Sequence, residues 1–144
     1  MYLVDTNVLS AGAPSRIAPV DLIVWMDEHS AELFLSAVTV AEIEDGIAKL
    51  RREGATRKAA DLATWLETLL HLYGSRILPF DTAAARVAGA LSDLVRGQGQ
   101  APGFADIAIA ATAKHHGLTV LTRNLRHFEP LGVPVIDPFT ALPQ

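Results

Sequence analysis

Short apolar runs alternate along this chain with longer stretches in which apolar residues recur every three or four positions. The runs Tyr2-Leu3-Val4, Leu33-Phe34-Leu35-Ser36, Ile77-Leu78-Pro79-Phe80, Thr119-Val120-Leu121-Thr122 and Val133-Pro134-Val135-Ile136 are short and rich in strand-favouring residues. Each predicts a strand, the first of them buried, with Pro79 placing the third at a sheet edge or a strand end. Between them, Asn7 to Ser10 predicts a single helical turn ending near Gly12 and Pro14. Pro19 opens a helix over Val20 to His29 with Ile23, Val24 and Met26 as its inner stripe. Val38 to Leu50 buries Val40, Ile43, Ile47 and Leu50, and stops at Arg51, Arg52 and Gly54, cations in the last turn and a glycine beyond. Thr56 is placed to cap a helix through Trp65, Leu69, Leu70 and Leu72, closed by Gly74. Asp81 or Thr82 starts an alanine-rich helix to about Arg96, and the glycine-rich stretch 97–103 predicts a loop. The helix from Phe104 to Ala113 is apolar on nearly every face, which assigns it a central position. The tail from Pro138 to Gln144 is expected on the surface.

Strands alternating with helices predict an α/β fold, a three-layer α/β/α sandwich around a central parallel sheet. With 144 residues, no internal repeats and no low-complexity linker, the chain is expected to form one domain over 1–144. Composition narrows the setting. There is no cysteine, hence no disulfide framework and no thiolate zinc site, which suits a reducing compartment. The most hydrophobic window, Ile107 to Ala113, is far short of the roughly 20 residues a bilayer span needs, and no export signal is visible, so a soluble, cytoplasmic chain is expected. The formal net charge of −4 argues against a broad phosphate-binding surface and makes any nucleic-acid contact local or cation-assisted.

Three acids stand where strands end or helices begin: Asp5 after the first strand, Glu42 in the first turn of the third helix and Asp106 in the first turn of the apolar helix. The crevice beyond the carboxyl ends of parallel strands is where ligands bind in open α/β sheets. Each acid also has a plain structural explanation. Asp5 could cap the next turn, Thr39-x-x-Glu42 matches a capping box, and Asp106 complements a helix dipole worth about 0.3–1 kcal/mol. For Asp106 that explanation is weak, because its flanks are apolar and burying a carboxylate costs several kcal/mol. A compensating partner is required, and Arg123 is the nearest candidate in sequence terms. Two carboxylates converging at ~4 Å repel by about 4 kcal/mol at an effective dielectric of 20. A divalent cation relieves that repulsion, and all-oxygen ligands favour Mg2+ or Mn2+ over zinc.

Four motifs in order carry a resemblance: Asp-Thr-Asn at Asp5 to Asn7, Ser-x-x-Thr-x-Ala-Glu at Ser36 to Glu42, Ala105-Asp106 heading the apolar helix, and Leu-Thr-Arg-Asn-x-x-x-Phe at Leu121 to Phe128. Together they resemble the PIN domain, and more narrowly the VapC toxins of toxin–antitoxin pairs with their FitB-like branch. The resemblance covers essentially the whole chain. It implies a Mg2+-dependent endoribonuclease, with Mn2+ able to substitute, whose metal ligands map onto Asp5, Glu42 and Asp106. The family's fourth position is an acid or asparagine, here Asn124, which carries no charge and so puts a second tightly bound metal in doubt. Family members often carry an acid where this chain has His127, a departure that is given no mechanistic weight.

No serine or cysteine triad can be assembled from these residues, which leaves metal-activated water as the expected chemistry. Asp5 and Asp106 would be the principal ligands, Glu42 a ligand or base, Asn124 a water-orienting group, and Thr6 and Thr122 donors that fix the carboxylates. Arg123 and Arg126 are the expected phosphate-gripping residues. The denser basic patch, Arg51-Arg52 with Arg57-Lys58, reads first as a solvated helix end and second as an RNA contact. His115-His116 reads as solvated, and Trp25, Trp65 and Tyr73 as core or interface. A haloacid-dehalogenase-like phosphatase would need a second acid where Asn7 stands, and a phosphate-receiver domain adjacent early acids and a late lysine, so both fail. The serious rival is a regulatory binding module that dimerises and carries a DNA-binding partner to an operator. Either way the resemblance implies a small VapB-like or FitA-like antitoxin as partner, a homodimer, and a larger assembly with the antitoxin on DNA, with RNA as the substrate under the ribonuclease reading.

Overall fold

The computed structural model describes residues 1–100 and 102–144; Ala101, inside the loop expected at 97–103, lies outside the described residues. Five parallel strands form one sheet: β1 (Tyr2–Val4), β2 (Leu33–Ser36), β3 (Ile77–Leu78), β4 (Thr119–Leu121) and β5 (Val135–Ile136), in the order β3-β2-β1-β4-β5. β1 sits at the centre, with Leu3 opposite Phe34 on one side and Val120 on the other. β3 and β5 are the edges, where Pro79 and Pro134 cost no central ladder bonds. Both edge strands are shorter than the sequence suggests, since each ladder stops beside its proline.

Among the described residues, seven α-helices connect and cover the strands: α1 (Thr6–Leu9), α2 (Val20–Glu28), α3 (Ala37–Arg52), α4 (Thr56–Tyr73), α5 (Thr82–Gly97), α6 (Phe104–His116) and α7 (Leu125–Phe128). Because successive strand side chains point to opposite faces, the core divides into two. Leu3, Val120 and the partly buried Phe34 face α5, α6 and α7, packing with Leu91, Ile109 and Phe128. Val4, Leu33, Leu35 and Leu121 face α1 to α4, packing with Trp25, Ile47 and Leu66. This is the α/β/α sandwich. Every residue of α6 from Ile107 to Ala113 is buried, and its alanines let it lie close against α5. No helix among the described residues is long and apolar enough to cross a membrane.

Several local expectations are corrected. In α2 the inward residues are Leu22 and Trp25, while Val24 is 47% exposed; the indole takes the inner position by packing edge-on against Tyr2 and stacking on His29. In α3, Thr39 is buried beside Ile43 and Ile47, while Val40 and Leu50 are only half-buried. Thr56 is the first helical residue of α4 and not its cap. Gly54, at φ 84°, ends α3, and Ala55, whose N–H bonds to the Leu50 carbonyl, occupies the cap position. Asp81 does cap α5, accepting from the Ala84 N–H. The tail is not a surface strap: Pro138 is buried, and Phe139 and Leu142 pack on the core beneath β4 and β5.

Candidate active site

The carboxyl ends of β1, β2 and β4 open onto a cleft of about 450 Å3, and the three predicted acids line it together with Asn124 and Arg123. Asp5 follows the last residue of the central strand. Its N–H still donates to the Leu121 carbonyl, so the sheet ladder holds its backbone before the chain turns into α1. The side chain is only 4% exposed. Oδ1 accepts from the Thr6 N–H at 2.8 Å, and Oδ2 accepts from the Thr122 hydroxyl at 2.8 Å. The capping role foreseen for Asp5 is therefore real and occupies one oxygen, without exhausting the roughly four lone-pair sites of a carboxylate.

Burial dominates the electrostatics of Asp5. It pushes the carboxyl from 3.8 up to about 6; the Thr122 and Thr6 hydrogen bonds oppose the rise, and the nearby charges of Asp106 and Glu42 add to it. Thr122 is itself fully buried and fixed. Its hydroxyl donates to Asp5 and accepts from the Asn124 N–H at 3.0 Å and the Asn7 amide at 3.4 Å, which uses its one proton and both lone pairs. Asn124 thus enters the network by its backbone, leaving its side-chain amide on the cleft wall.

Glu42 is not part of a capping box. α3 begins at Ala37 with Ser36 as its cap, the Ser36 hydroxyl accepting from the Val38 N–H, so Glu42 stands in the second turn. Its Oε1 accepts from the Thr6 hydroxyl at 2.6 Å, linking it to the residue after Asp5. Asp106 does lie in the first turn of α6, as the sequence implies. Its partner is not Arg123 but His127, whose Nδ1 lies 3.0 Å from Oδ2. The contact is an ion pair when the imidazole carries its second proton. Arg123 lies over the Phe139 ring, 4.2 Å from its centroid, and its N–H donates to the Asn7 side chain. Arg126 lines a separate shallow hollow with His127, Pro102 and Gly103.

A match to the PIN domain model spans residues 2–131. The chain belongs to the PIN-domain family. Toxin FitB of Neisseria gonorrhoeae is 39% identical to this PIN domain over 142 residues, covering 96% of this chain and 99% of that protein. VapC ribonuclease Y4jK of Sinorhizobium fredii is 36% identical over 144 residues, covering 96% and 98%. The crystal structure of FitAcB from Neisseria gonorrhoeae superposes on this PIN domain with a TM-score of 0.82 at 38% identity, over 96% of this chain and 98% of that one.

The cleft of this PIN domain offers carboxylate, amide and hydroxyl oxygens, a donor set that fits Mg2+ or Mn2+ and not a thiophilic metal. Among the described residues, no three acidic or imidazole side chains close around one point as they stand. The fit therefore rests on donor chemistry and on a buried Asp5 whose ionised form lacks a cationic partner. Three residues escaped the sequence reading. Asn7 ties Thr122 to the Arg123 backbone, and its place two residues after Asp5 on a helical turn was the available signal. His127 could be linked to Asp106 only through the contact between α6 and α7. Arg16, from the loop after α1, lines the cleft and carries no periodic signal at all.

Proposed function

We propose that this chain is a Mg2+-dependent endoribonuclease, with Mn2+ as a substitute, acting as the toxin of a type II toxin–antitoxin pair. The observation that carries the proposal is the convergence of Asp5, Glu42 and Asp106, from three separate elements, on one cleft that offers no cysteine and no serine–histidine pair. Asp5, Glu42 and Asp106 would hold the metal, whose chemistry is to acidify a water and offset charge on the scissile phosphate. Thr122 and the Thr6 N–H hold the two Asp5 oxygens in fixed directions, and the Thr6 hydroxyl does the same for Glu42. His127 holds one oxygen of Asp106. The Asn124 amide, on the cleft wall, orients the attacking water, and the Arg123 guanidinium, steadied on Phe139, meets a phosphate oxygen. Arg126, one hollow away, meets a phosphate farther along the strand.

The single domain spans 1–144, works in the cytoplasm as a homodimer, and is silenced by a small VapB-like or FitA-like antitoxin. The support for a protein partner is the company its relatives keep, a FitB toxin and a FitA–FitB complex. Replacing Asp5 or Asp106 with Asn should abolish RNA cleavage while the far-UV circular dichroism spectrum stays that of the wild type. Full activity in either variant would remove these residues from the site.

A further inference from the structure

The acidic cleft does not end at Glu42. Thr6, Ser10, Arg16 and Glu42 also border a second hollow of about 160 Å3, which continues past Gly46 to Lys58. Pro14, Lys58 and Leu62 then form a wall shared with a third hollow of about 310 Å3, completed by Ser15, Arg57 and Asp61. Shared bordering residues set the three hollows side by side, as a segmented groove from the acids to the first turn of α4. From Glu42 outward it is bordered by Arg16, shared with the acidic cleft, and by Lys58 and Arg57, all three exposed, against Asp61 alone. On a chain of net charge −4 this is a local reversal of sign, leading directly away from the site. The other half of the basic patch, Arg51 and Arg52, borders none of these hollows.

We propose that this groove carries single-stranded RNA away from the acids, with Arg16, Lys58 and Arg57 gripping successive phosphates. The inference rests on the ribonuclease reading of the cleft. A polyanion bearing one charge per nucleotide matches a row of cations along a groove, and a positive groove that tracks the backbone is how single strands are held without sequence readout. The half-buried Trp65 and Leu62 give the middle of the groove an apolar wall. Gly46 leaves that middle section open, since a Cβ there would meet nothing within 4 Å.

Two pairs of neutralising substitutions with equal charge change separate the groove from bulk charge: R57Q/K58Q in it and R51Q/R52Q outside it. The probe is a fluorescein-labelled RNA 12-mer, read by anisotropy in EDTA across a salt titration. R57Q/K58Q should weaken binding at least tenfold and flatten the log–log salt slope by about 1.4, two phosphate contacts at ~0.7 each. R51Q/R52Q should stay within twofold of wild type. A Cβ at Gly46 meets no protein atom within 4 Å and Gly46→Leu favours the helix, so the variant should lower affinity several-fold without lowering thermal stability. Equal losses from both pairs, or wild-type affinity in R57Q/K58Q or Gly46→Leu, in a protein that cuts RNA with Mg2+, would overturn the groove and leave the ribonuclease reading standing. A wild-type protein that neither binds nor cuts RNA would remove both. If R57Q/K58Q keeps its RNA affinity but loses affinity for a labelled hexaglutamate peptide, the occupant is an acidic protein segment and the RNA path is overturned.

Discussion

Asp5→Asn should stabilise the metal-free protein at pH 8 and destabilise it at pH 4. The carboxyl of Asp5 titrates near 6 in the folded protein against 3.8 for an ordinary aspartate, chiefly because it is buried. At 1.36 kcal/mol per pH unit, that difference costs the fold about 3 kcal/mol once Asp5 is ionised in both states. The folded value is the higher one, so the fold favours the protonated form. The associated stability is complete below pH 3.8, is lost as pH rises, and is gone above about 6. Asparagine is neutral throughout and escapes the penalty, but its single carbonyl oxygen cannot accept from both the Thr6 N–H and the Thr122 hydroxyl, a loss of about 1 kcal/mol. The net expectation is a gain of about 2 kcal/mol at pH 8 and a loss of about 1 kcal/mol at pH 4. Urea unfolding of both proteins in EDTA at the two pH values measures this directly. A difference of the same sign and size at both pH values would refute the claim that burial governs this carboxylate. Adding Mg2+ at pH 8 should then reverse the order, because an ion at a hundredfold excess over its Kd adds about 2.7 kcal/mol to the wild type and nothing comparable to the variant.

Other residues give independent tests. His127→Ala removes the ring that lies against one oxygen of Asp106 and should weaken Mg2+ affinity about tenfold, read as a shift in the Mg2+ dependence of the thermal midpoint; an unchanged dependence would mean that the ring does not orient the carboxylate. The Thr39 hydroxyl is fully buried and has no partner among the described residues, so Thr39→Val should raise stability by about 1 kcal/mol in urea, and a loss would show that the hydroxyl is satisfied. The Arg76 guanidinium donates to the carbonyls of Ser30, Leu33 and Leu72, tying α4 to the start of β2. Arg76→Ala should cost about 2 kcal/mol, and a loss under 0.5 kcal/mol would make these contacts incidental.

The strands and the buried α6 were legible because their apolar residues follow the periods that strands and helices impose. Asp5 was legible because a strand of three apolar residues stops at it. What the sequence hid was mostly decided across the sheet. Val24 and Trp25 both read as inward from the sequence, and the Tyr2 ring of β1, which no local pattern contains, favours Trp25. Asp106 visibly needed a partner, but the choice between Arg123 and His127 depends on where α7 lies against α6, and Phe139 draws Arg123 away. Thr39 and Glu42 have capping-box spacing, yet Ser36 captures the first turn and frees Glu42 for Thr6. The tail is expected on the surface from its terminal place, while Pro138 is buried and Phe139 and Leu142 cover the core beside the short edge strand β5.

Purified wild-type protein and Asp5→Asn, each shown to be folded and free of any bound antitoxin, should be incubated with total cellular RNA in Mg2+ and in EDTA. Discrete fragments that appear only with Mg2+ and only with Asp5 intact are the predicted result, and they would establish the carboxylate cleft as a site-selective, metal-dependent ribonuclease. Intact RNA under both Mg2+ and Mn2+, or equal cleavage by Asp5→Asn, would contradict it and leave the cleft to a binding role.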